Sequence, residues 1–439
     1  MQVEILKKLE EDGIEFISLQ FADLLGVVKE IIIPFSKLED VLEHGLWFDG
    51  SSIEGFARIY ESDLFLKPDL STYSVIPWLT ENGKTACFIC DIYNHDGKPF
   101  ERDARYILKK TISEIRKEGF EYNVGPEIEF YLFRKDDKTK TLPMDYGSYF
   151  DMTSHEGYRF IKEIIKSLKN FKINVETSHH EVGEGQYEID FEYGPALQIA
   201  DKLLMLKYTL KKIAQMHGLQ ATFMPKPIMN APGSGMHVHQ SLFDVKTGKN
   251  LFHDKEDKYK LSKIAYNFTA GQMKYIKEIC AILCPTVNSY KRLISGFEAP
   301  VYITWGSMNR SSLIRVPKWS KEKSARIELR CPDSSCNPYL AFAVMLRAGF
   351  EGIKNNLTPP EPVEENVYKM EDNRLNEKNI DILPNSLWEA LEELKSSKIV
   401  YETLGKSLFE KYIEIKTKEW NEFKMQVTGW EIKKYLETY

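Results

Sequence analysis

The stretch "VGPEIEFYLF", residues 124–133, decides how the chain is read. It has the period of two of a strand, whose successive side chains face opposite sides. Glu127 and Glu129 therefore point the same way, and Ile128, Phe130 and Leu132 point to the other face as a core anchor. Like charges held that close repel, and burying either carboxylate costs free energy. Such a strand needs either open solvent or a cation on its polar side.

Three more runs repeat the pattern. "QYEIDFEY" (186–193) offers Glu188, Asp190 and Glu192 on one face, with Ile189, Phe191 and Tyr193 on the other. "GMHVHQS" (235–241) offers His237 and His239, and "SARIELRCP" (324–332) offers Arg326, Glu328 and Arg330. A solvated sheet face favours Lys, Thr and Ser, whereas Glu, His and Arg dominate here. The expected fold is α+β: a curved antiparallel sheet whose concave face is a charged pocket.

The residue types point to a chemistry. Glu127, Glu129, Glu181, Glu188 and Glu328, with His237 as a nitrogen donor, suit Mg²⁺ or Mn²⁺. Carboxylates at i and i+2 can each serve a different ion of a pair, and such a pair can neutralise phosphate oxygens. Arg292, Arg310, Arg315, Arg326 and Arg330 suit an anionic substrate and a nucleotide phosphate, because Arg stays charged when buried and binds such groups bidentately. In "NAPGSGMHVH" (230–239), Gly233 and Gly235 allow close approach of the backbone to a ligand. This loop is neither a P-loop nor a dinucleotide fingerprint. For His239, a structural role and a ligand contact both stay open. In "WFDGSSIEGFARIYESD" (47–63), the run from Asp49 to Ser52 reads as a turn, or Asp49 as an acceptor for a cationic or proton-donating substrate. The residues by themselves describe a two-metal enzyme that transfers a phosphoryl group to an anionic, carboxylate-bearing acceptor.

Bulk properties narrow the setting. The chain has 439 residues, more than one typical domain, and a formal charge of 59 − 65 = −6. That excludes nucleic-acid binding driven by bulk charge. No apolar run approaches the roughly 20 residues of a membrane span. The first residues lack a signal peptide's apolar core, so a cytoplasmic protein is expected. The six cysteines form no extracellular framework; Cys87 and Cys90 in "KTACFICDIY" are three apart on a strand and face opposite sides. Residues 14–33 read as two β-runs joined around Asp23 to Gly26. With a short leading helix they open a small sheet-rich domain, 1–100, and a larger domain, 101–439, follows. Helices are expected from residue 104 to a stop at Gly119, over 156–169 and over 196–217, with a capping box at Ser386 and Glu389 and a loop at "TPPEP" (358–362).

Taken together the motifs resemble the glutamine synthetase family. "FDGSSIEGF", "GPEIEFYLF", "SHHEVGEGQYEID", "PGSGMHVHQSL", "SGFEAP", "NRSSLIRVP" and "ARIELRCPD" follow that family's order and spacing over essentially the whole chain. The length is similar to the shorter, α-type form of type I. The resemblance implies a small N-terminal β-grasp-like domain, a larger catalytic domain, and active sites between subunits of a dodecamer built as two stacked hexamers. It implies ATP as co-substrate and ligation of ammonia to glutamate through a γ-glutamyl phosphate. By the same resemblance Glu129, Glu181 and Glu188 match the ligands of one divalent ion, and Glu127, His237 and Glu328 those of the other. Arg310 and Arg326 match groups that stabilise the phosphoryl group in transfer. Gly233, Arg292 and Arg330 match glutamate binders, and His239 and Arg315 match nucleotide-phosphate contacts. Asp49, with Ser52 in support, matches the group that takes ammonium's proton in the neighbouring subunit's site, and Glu298 a flap carboxylate that shields the intermediate. Arg58 matches a position linked to glutamine feedback, and the resemblance extends to nitrogen-regulatory proteins as partners. Tyr368 lies in "NVYKMEDNR", unlike the context in which the longer form is adenylylated, so no adenylylation is expected. Glu184 is an additional acid read as solvent-exposed. The rivals are a γ-glutamyl-amine or polyamine ligase of the same superfamily, a non-catalytic homologue, and a guanidino-type phosphotransferase. The intact run Asp49 to Ser52 and Glu298 favour ammonia, and the full ligand set argues against a non-catalytic chain.

Overall fold

The structure, a computed structural model, describes residues 2–53, 55, 63–80, 82–134, 142–296, 299–307 and 309–439. The first sheet is built from β1 (Ile14–Ala22), β2 (Val28–Pro34), β3 (Leu46–Asp49), β4 (Asp63–Pro68), β5 (Ser74–Val75) and β6 (Lys84–Asn94). Its order is β2-β1-β6-β4-β3, with β5 beside β6, and β1 and β6 run parallel. The β1–β2 turn is held by Asp23, whose carboxylate accepts from the Leu25 and Val27 N–H groups at 3.0 and 2.9 Å. Leu9 of α1 (Gln2–Glu11) and Val41 of α2 (Leu38–His44) pack into this domain's core. Strand β6 serves two cores. Ala86, Phe88 and Cys90 face the small one, and Cys87 and Ile89 face the large one. The two thiols are free and buried, back to back as the strand period requires.

Among the described residues the second sheet has ten strands, centred on the fifteen-residue β7 (Phe120–Arg134). Its partners are β8 (Leu142–Pro143), β9 (Val175–His180), β10 (Gln186–Phe191), β11 (Gly194–Pro195), β12 (Leu219–Thr222), β13 (Met236–Asp244), β14 (Trp305–Gly306), β15 (Ile314–Arg315) and β16 (Ile327–Leu329). The main order is β14-β15-β16-β13-β7-β10-β9. Ile128, Phe130 and Leu132 are fully buried beneath helices. Those helices include α3 (Ala104–Lys117), α4 (His155–Asn170), α5 (Ala196–Met216), α6 (Lys263–Leu283), α7 (Ser289–Arg292) and α8 (Pro338–Lys354). After α9 (Asp372–Glu377) and α10 (Leu387–Lys395), the chain ends in α11 (Lys398–Lys424), broken at Gly405, and α12 (Gly429–Tyr435).

Arg105 of α3 joins the two parts. It pairs with Asp69 at 2.8 Å and Asp91 at 2.5 Å from the first sheet's domain, and bidentately with Asp201 of α5 at 2.9 Å. Charge-assisted bonds on every side satisfy this buried guanidinium. One expected cap differs. Ser386 caps α10, but the Glu389 carboxylate accepts from the Asn385 N–H rather than from Ser386. The reciprocal box is instead at Thr428 and Glu431, at the head of α12.

Candidate active site

Strand register assembles the site. Across β7 and β10, Glu129 lies opposite Glu188, and Glu127 opposite Asp190. Across β10 and β9, Glu188 lies opposite His179. On the other side His237 is opposite Glu127, His239 opposite Glu328, and Glu328 opposite Arg315. Directly opposed residues share a face, so these ladders deliver acids and bases to one surface. That surface lines a cavity of about 660 Å³.

All six expected ligands line it: Glu127, Glu129, Glu181, Glu188, His237 and Glu328. Glu127, His237 and Glu328 offer donor atoms within 4.8 Å of one another, and so do Glu129, Glu188 and His237. The first trio is the set expected for one ion. The second contains two of the three expected for the other. Glu181 joins through His179, whose Nδ1 is 3.5 Å from Glu181 and whose Nε2 is 3.1 Å from Glu188. Glu129 is held by the Gly235 N–H at 2.8 Å and by Gln186 Nε2 at 3.2 Å.

Charge is distributed unevenly. Burial, then the negative charges of Glu129, Asp190, Glu127 and Glu181, pushes the Glu188 carboxyl up to about 11. Burial raises Asp190 to about 6 in spite of a hydrogen bond from Thr177. Burial also acts on Glu127, but hydrogen bonds from His237 and His239 hold it well below the ordinary range. Glu328 is likewise buried, yet the Arg330 guanidinium beside it keeps it low. Arg315 lies 2.5 Å and Arg330 3.2 Å from its carboxylate oxygens. Ionising every acid on this surface requires further positive charge, and the oxygen-rich donor set fits a hard divalent cation.

The arginines occupy distinct places. Arg330 lines the cavity with its Nη1 buried and unpartnered. Arg292 also lines it, and donates to the carbonyls of Cys331 at 2.7 Å and Arg330 at 3.1 Å. The glycine loop makes room for this side chain. A Cβ on Gly233 would lie 2.6 Å from Arg292 Cγ, and one on Gly235 2.6 Å from its Nη2. The close approach expected of these glycines is thus made to a protein group. Arg310 is exposed on the rim and Arg315 lines the wall. Arg326 and His239 line a second cavity of about 270 Å³ instead, which shares Glu127 and Asp190 with the first. Arg326 Nε donates to His239 Nδ1 at 3.2 Å, which leaves His239 Nε2 to donate to Glu127 at 2.6 Å.

Strand β10 stops at Phe191, so Glu192 leaves the acidic face and accepts from Asn174 Nδ2 at 2.7 Å. Tyr193 is exposed and lines the second cavity rather than facing the core. Glu184 is exposed. Asp49 ends β3, is exposed, and accepts from the Ser51 N–H at 2.8 Å; it lines neither cavity. Arg58, Glu298 and the Ser52 side chain lie outside the described residues.

Sequence reasoning left His179 unassigned, although it is two residues from Glu181 in an extended run and so shares its face. It also missed Tyr149 and Phe150, which line the cavity, with Phe150 centred 4.6 Å from the His179 ring. These aromatics lie outside any strand or helix, and Phe150 has a φ of 60°, so no periodicity marks them.

A model of the glutamine synthetase β-grasp domain matches residues 13–95, and one of the glutamine synthetase catalytic domain matches residues 101–435. The chain belongs to the glutamine synthetase family. A glutamine synthetase of Clostridium saccharobutylicum is 46% identical, covering 99% of this chain and 98% of that one. Those of Methanosarcina mazei, at 47%, and Thermotoga maritima, at 46%, also align over 99% of this chain and over 97% and 100% of theirs. Among solved structures, a "GmaS/ADP complex" superimposes with a TM-score of 0.90 at 30% identity, covering 99% of each chain.

Proposed function

We propose that the chain is an ATP-dependent ligase that joins ammonia to L-glutamate through a γ-glutamyl phosphate, releasing glutamine, ADP and phosphate. The observation that carries this is the convergence of five glutamates, His237 and three buried or wall-lining arginines on one cavity. Relatives 44–47% identical over the full length, all named glutamine synthetase, support ammonia over an amine as the acceptor. Residues 1–100 are read as the N-terminal domain and 101–439 as the catalytic domain.

Mg²⁺ or Mn²⁺, held by Glu129, Glu181 and Glu188 and by Glu127, His237 and Glu328, would supply neutralising charge to phosphate and carboxylate oxygens. The protein does the rest. Arg330, with its unpartnered Nη1, and Arg292 bind the glutamate carboxylates beside Gly233. Arg315 and His239 orient the nucleotide phosphates. The second cavity suits the nucleotide, with the Tyr193 ring for a base and Lys323 and Arg326 for phosphates; Glu127 and Asp190 adjoin both cavities. Arg310 and Arg326 stabilise the phosphoryl group in flight. The acyl phosphate then has a good leaving group, so ammonia attacks directly. Asp49 and Ser52 of a neighbouring subunit bind ammonium and take its proton, and Glu298 shields the intermediate. The exposure of Asp49, away from its own chain's cavities, supports that arrangement.

The assembly is proposed as a dodecamer of two hexamers. The exposed Trp430, Ile432 and Leu436 on and beside α12 support association, since a monomer rarely presents such a patch. A cytoplasmic enzyme is proposed. Among the described residues no helix is long and apolar enough to cross a membrane. Tyr368 is read as unmodified, and its hydroxyl donates to the Ala299 carbonyl at 2.6 Å. Nitrogen-regulatory partners and the Arg58 feedback role belong to the same reading.

The test is coupled phosphate release with glutamate, ATP and Mg²⁺, with ammonia or with methylamine and polyamines. Ammonia-dependent release matched by glutamine is expected. Negligible glutamine beside amine-dependent release would replace the reading with an amine ligase.

A further inference from the structure

Five of the six ligand residues sit in strands, where ladder hydrogen bonds fix them: Glu127 and Glu129 in β7, Glu188 in β10, His237 in β13 and Glu328 in β16. Glu181 does not, because β9 ends at His180. Its N–H reaches the Gln186 carbonyl at 2.8 Å, but its carbonyl has left the ladder.

That carbonyl is taken by a side chain. His180 is 1% exposed, and its Nδ1 lies 2.6 Å from the Glu181 oxygen. Its Nε2 lies 2.7 Å from Asp145 Oδ1. Both partners are acceptors, so both ring nitrogens donate. The other oxygen of Asp145 accepts from the Tyr187 hydroxyl. Tyr187 pairs with His180 across the strands, with ring centroids 4.9 Å apart. Gly147 completes the enclosure, since a Cβ there would sit 2.8 Å from Nε2. The Phe150 N–H donates to the His180 carbonyl at 3.1 Å, which ties the aromatic rim to the same residue.

We propose that His180, fixed by Asp145, is a positioning residue that sets the peptide plane after Glu181 and thereby aims the Glu181 carboxylate into the cavity. The inference rests on the reading of Glu181 as a ligand to a divalent cation. The imidazole replaces the ladder bond that the other ligands have, and the acceptor pair on its two nitrogens holds the ring in one orientation.

The test is Mn²⁺ binding to the full-length assembled protein by calorimetry, without substrates. An Asn amide nitrogen can occupy the place of Nδ1, and a Gln amide nitrogen that of Nε2. His180→Asn keeps the bond to the Glu181 carbonyl, and His180→Gln keeps only the bond to Asp145. We expect His180→Gln and His180→Phe to weaken one of the two ions by about 10- to 100-fold, and His180→Asn to stay near wild type. Glu181→Gln must weaken the same ion. If Glu181→Gln leaves binding unchanged, the ligand reading falls and the inference with it. If Glu181→Gln weakens binding while His180→Gln matches wild type, the positioning role alone is overturned. The Asn and Gln variants bury similar polar groups, so their comparison stands even if the Phe variant does not fold.

Discussion

Glu328 and Glu188 face the same cavity, and burial pushes both carboxyls up. On the β16 side, Arg315 and Arg330 answer that pressure, and Glu328 stays ionised. On the β10 side, Glu188 meets four other carboxylates and its carboxyl rises to about 11. One half of the site is therefore electrostatically complete within the protein. The other half is built to receive positive charge from outside it. A site that binds cations and phosphates together needs both halves: one that holds its geometry unaided, and one whose charge is balanced only on loading.

The largest expected effect comes from breaking the complete half. Glu328→Ala should lower ATP-dependent turnover at least about 100-fold while size-exclusion chromatography shows intact assembly. Near-normal turnover would remove Glu328 from the ligand set.

Stability should separate the halves next. Glu328→Gln takes one partner from the buried Arg330 and the half-buried Arg315 and should cost about 3 kcal/mol in metal-free denaturant unfolding. With its pKa raised to about 11, Glu188 is expected to be neutral at pH 7 without metal, so Glu188→Gln should stay within about 0.5 kcal/mol of wild type. Equal losses would erase the distinction.

The pH dependence has a definite sign. A carboxyl with a raised pKa contributes stability that is complete below its ordinary pKa and is lost as pH rises towards the folded value. For Glu188 that window runs from 4.5 to about 11, and for Asp190 from 3.8 to about 6. The lowered Glu328 and Glu127 act oppositely, contributing above the ordinary range and losing that contribution as pH falls through their depressed values. Metal-free melting temperature should therefore decline across the Glu188 window, and saturating Mg²⁺ or Glu188→Gln should flatten the decline. A profile unaltered by either would count against the unbalanced half.

The smallest effect concerns a residue outside both halves. Asp49→Ala should impair ammonia use more than γ-glutamyl phosphate formation, measured as separate half-reactions. Equal loss in both would argue against the ammonium role.

The sequence made much of this visible because strands write their geometry in a period of two. Glu127 with Glu129 and His237 with His239 were legible as same-face pairs, and Ile128, Phe130 and Leu132 as the buried counterface. Register was not legible. Nothing in the composition of β10 says that Glu188 will sit opposite Glu129, or that the strand will stop before Glu192. Tertiary packing also lay beyond it: the glycines at 233 and 235 accommodate Arg292, which is distant in sequence. The rim at Tyr149 and Phe150 has no regular backbone and left no pattern to read.

Glu188 should be neutral until a divalent cation loads the acidic half. Calorimetric titration of Mn²⁺ at pH 7, in buffers of different ionisation enthalpy, measures it directly. Release of about one proton per chain on binding is expected, absent in Glu188→Gln. Heats that do not depend on the buffer in the wild-type protein would contradict it.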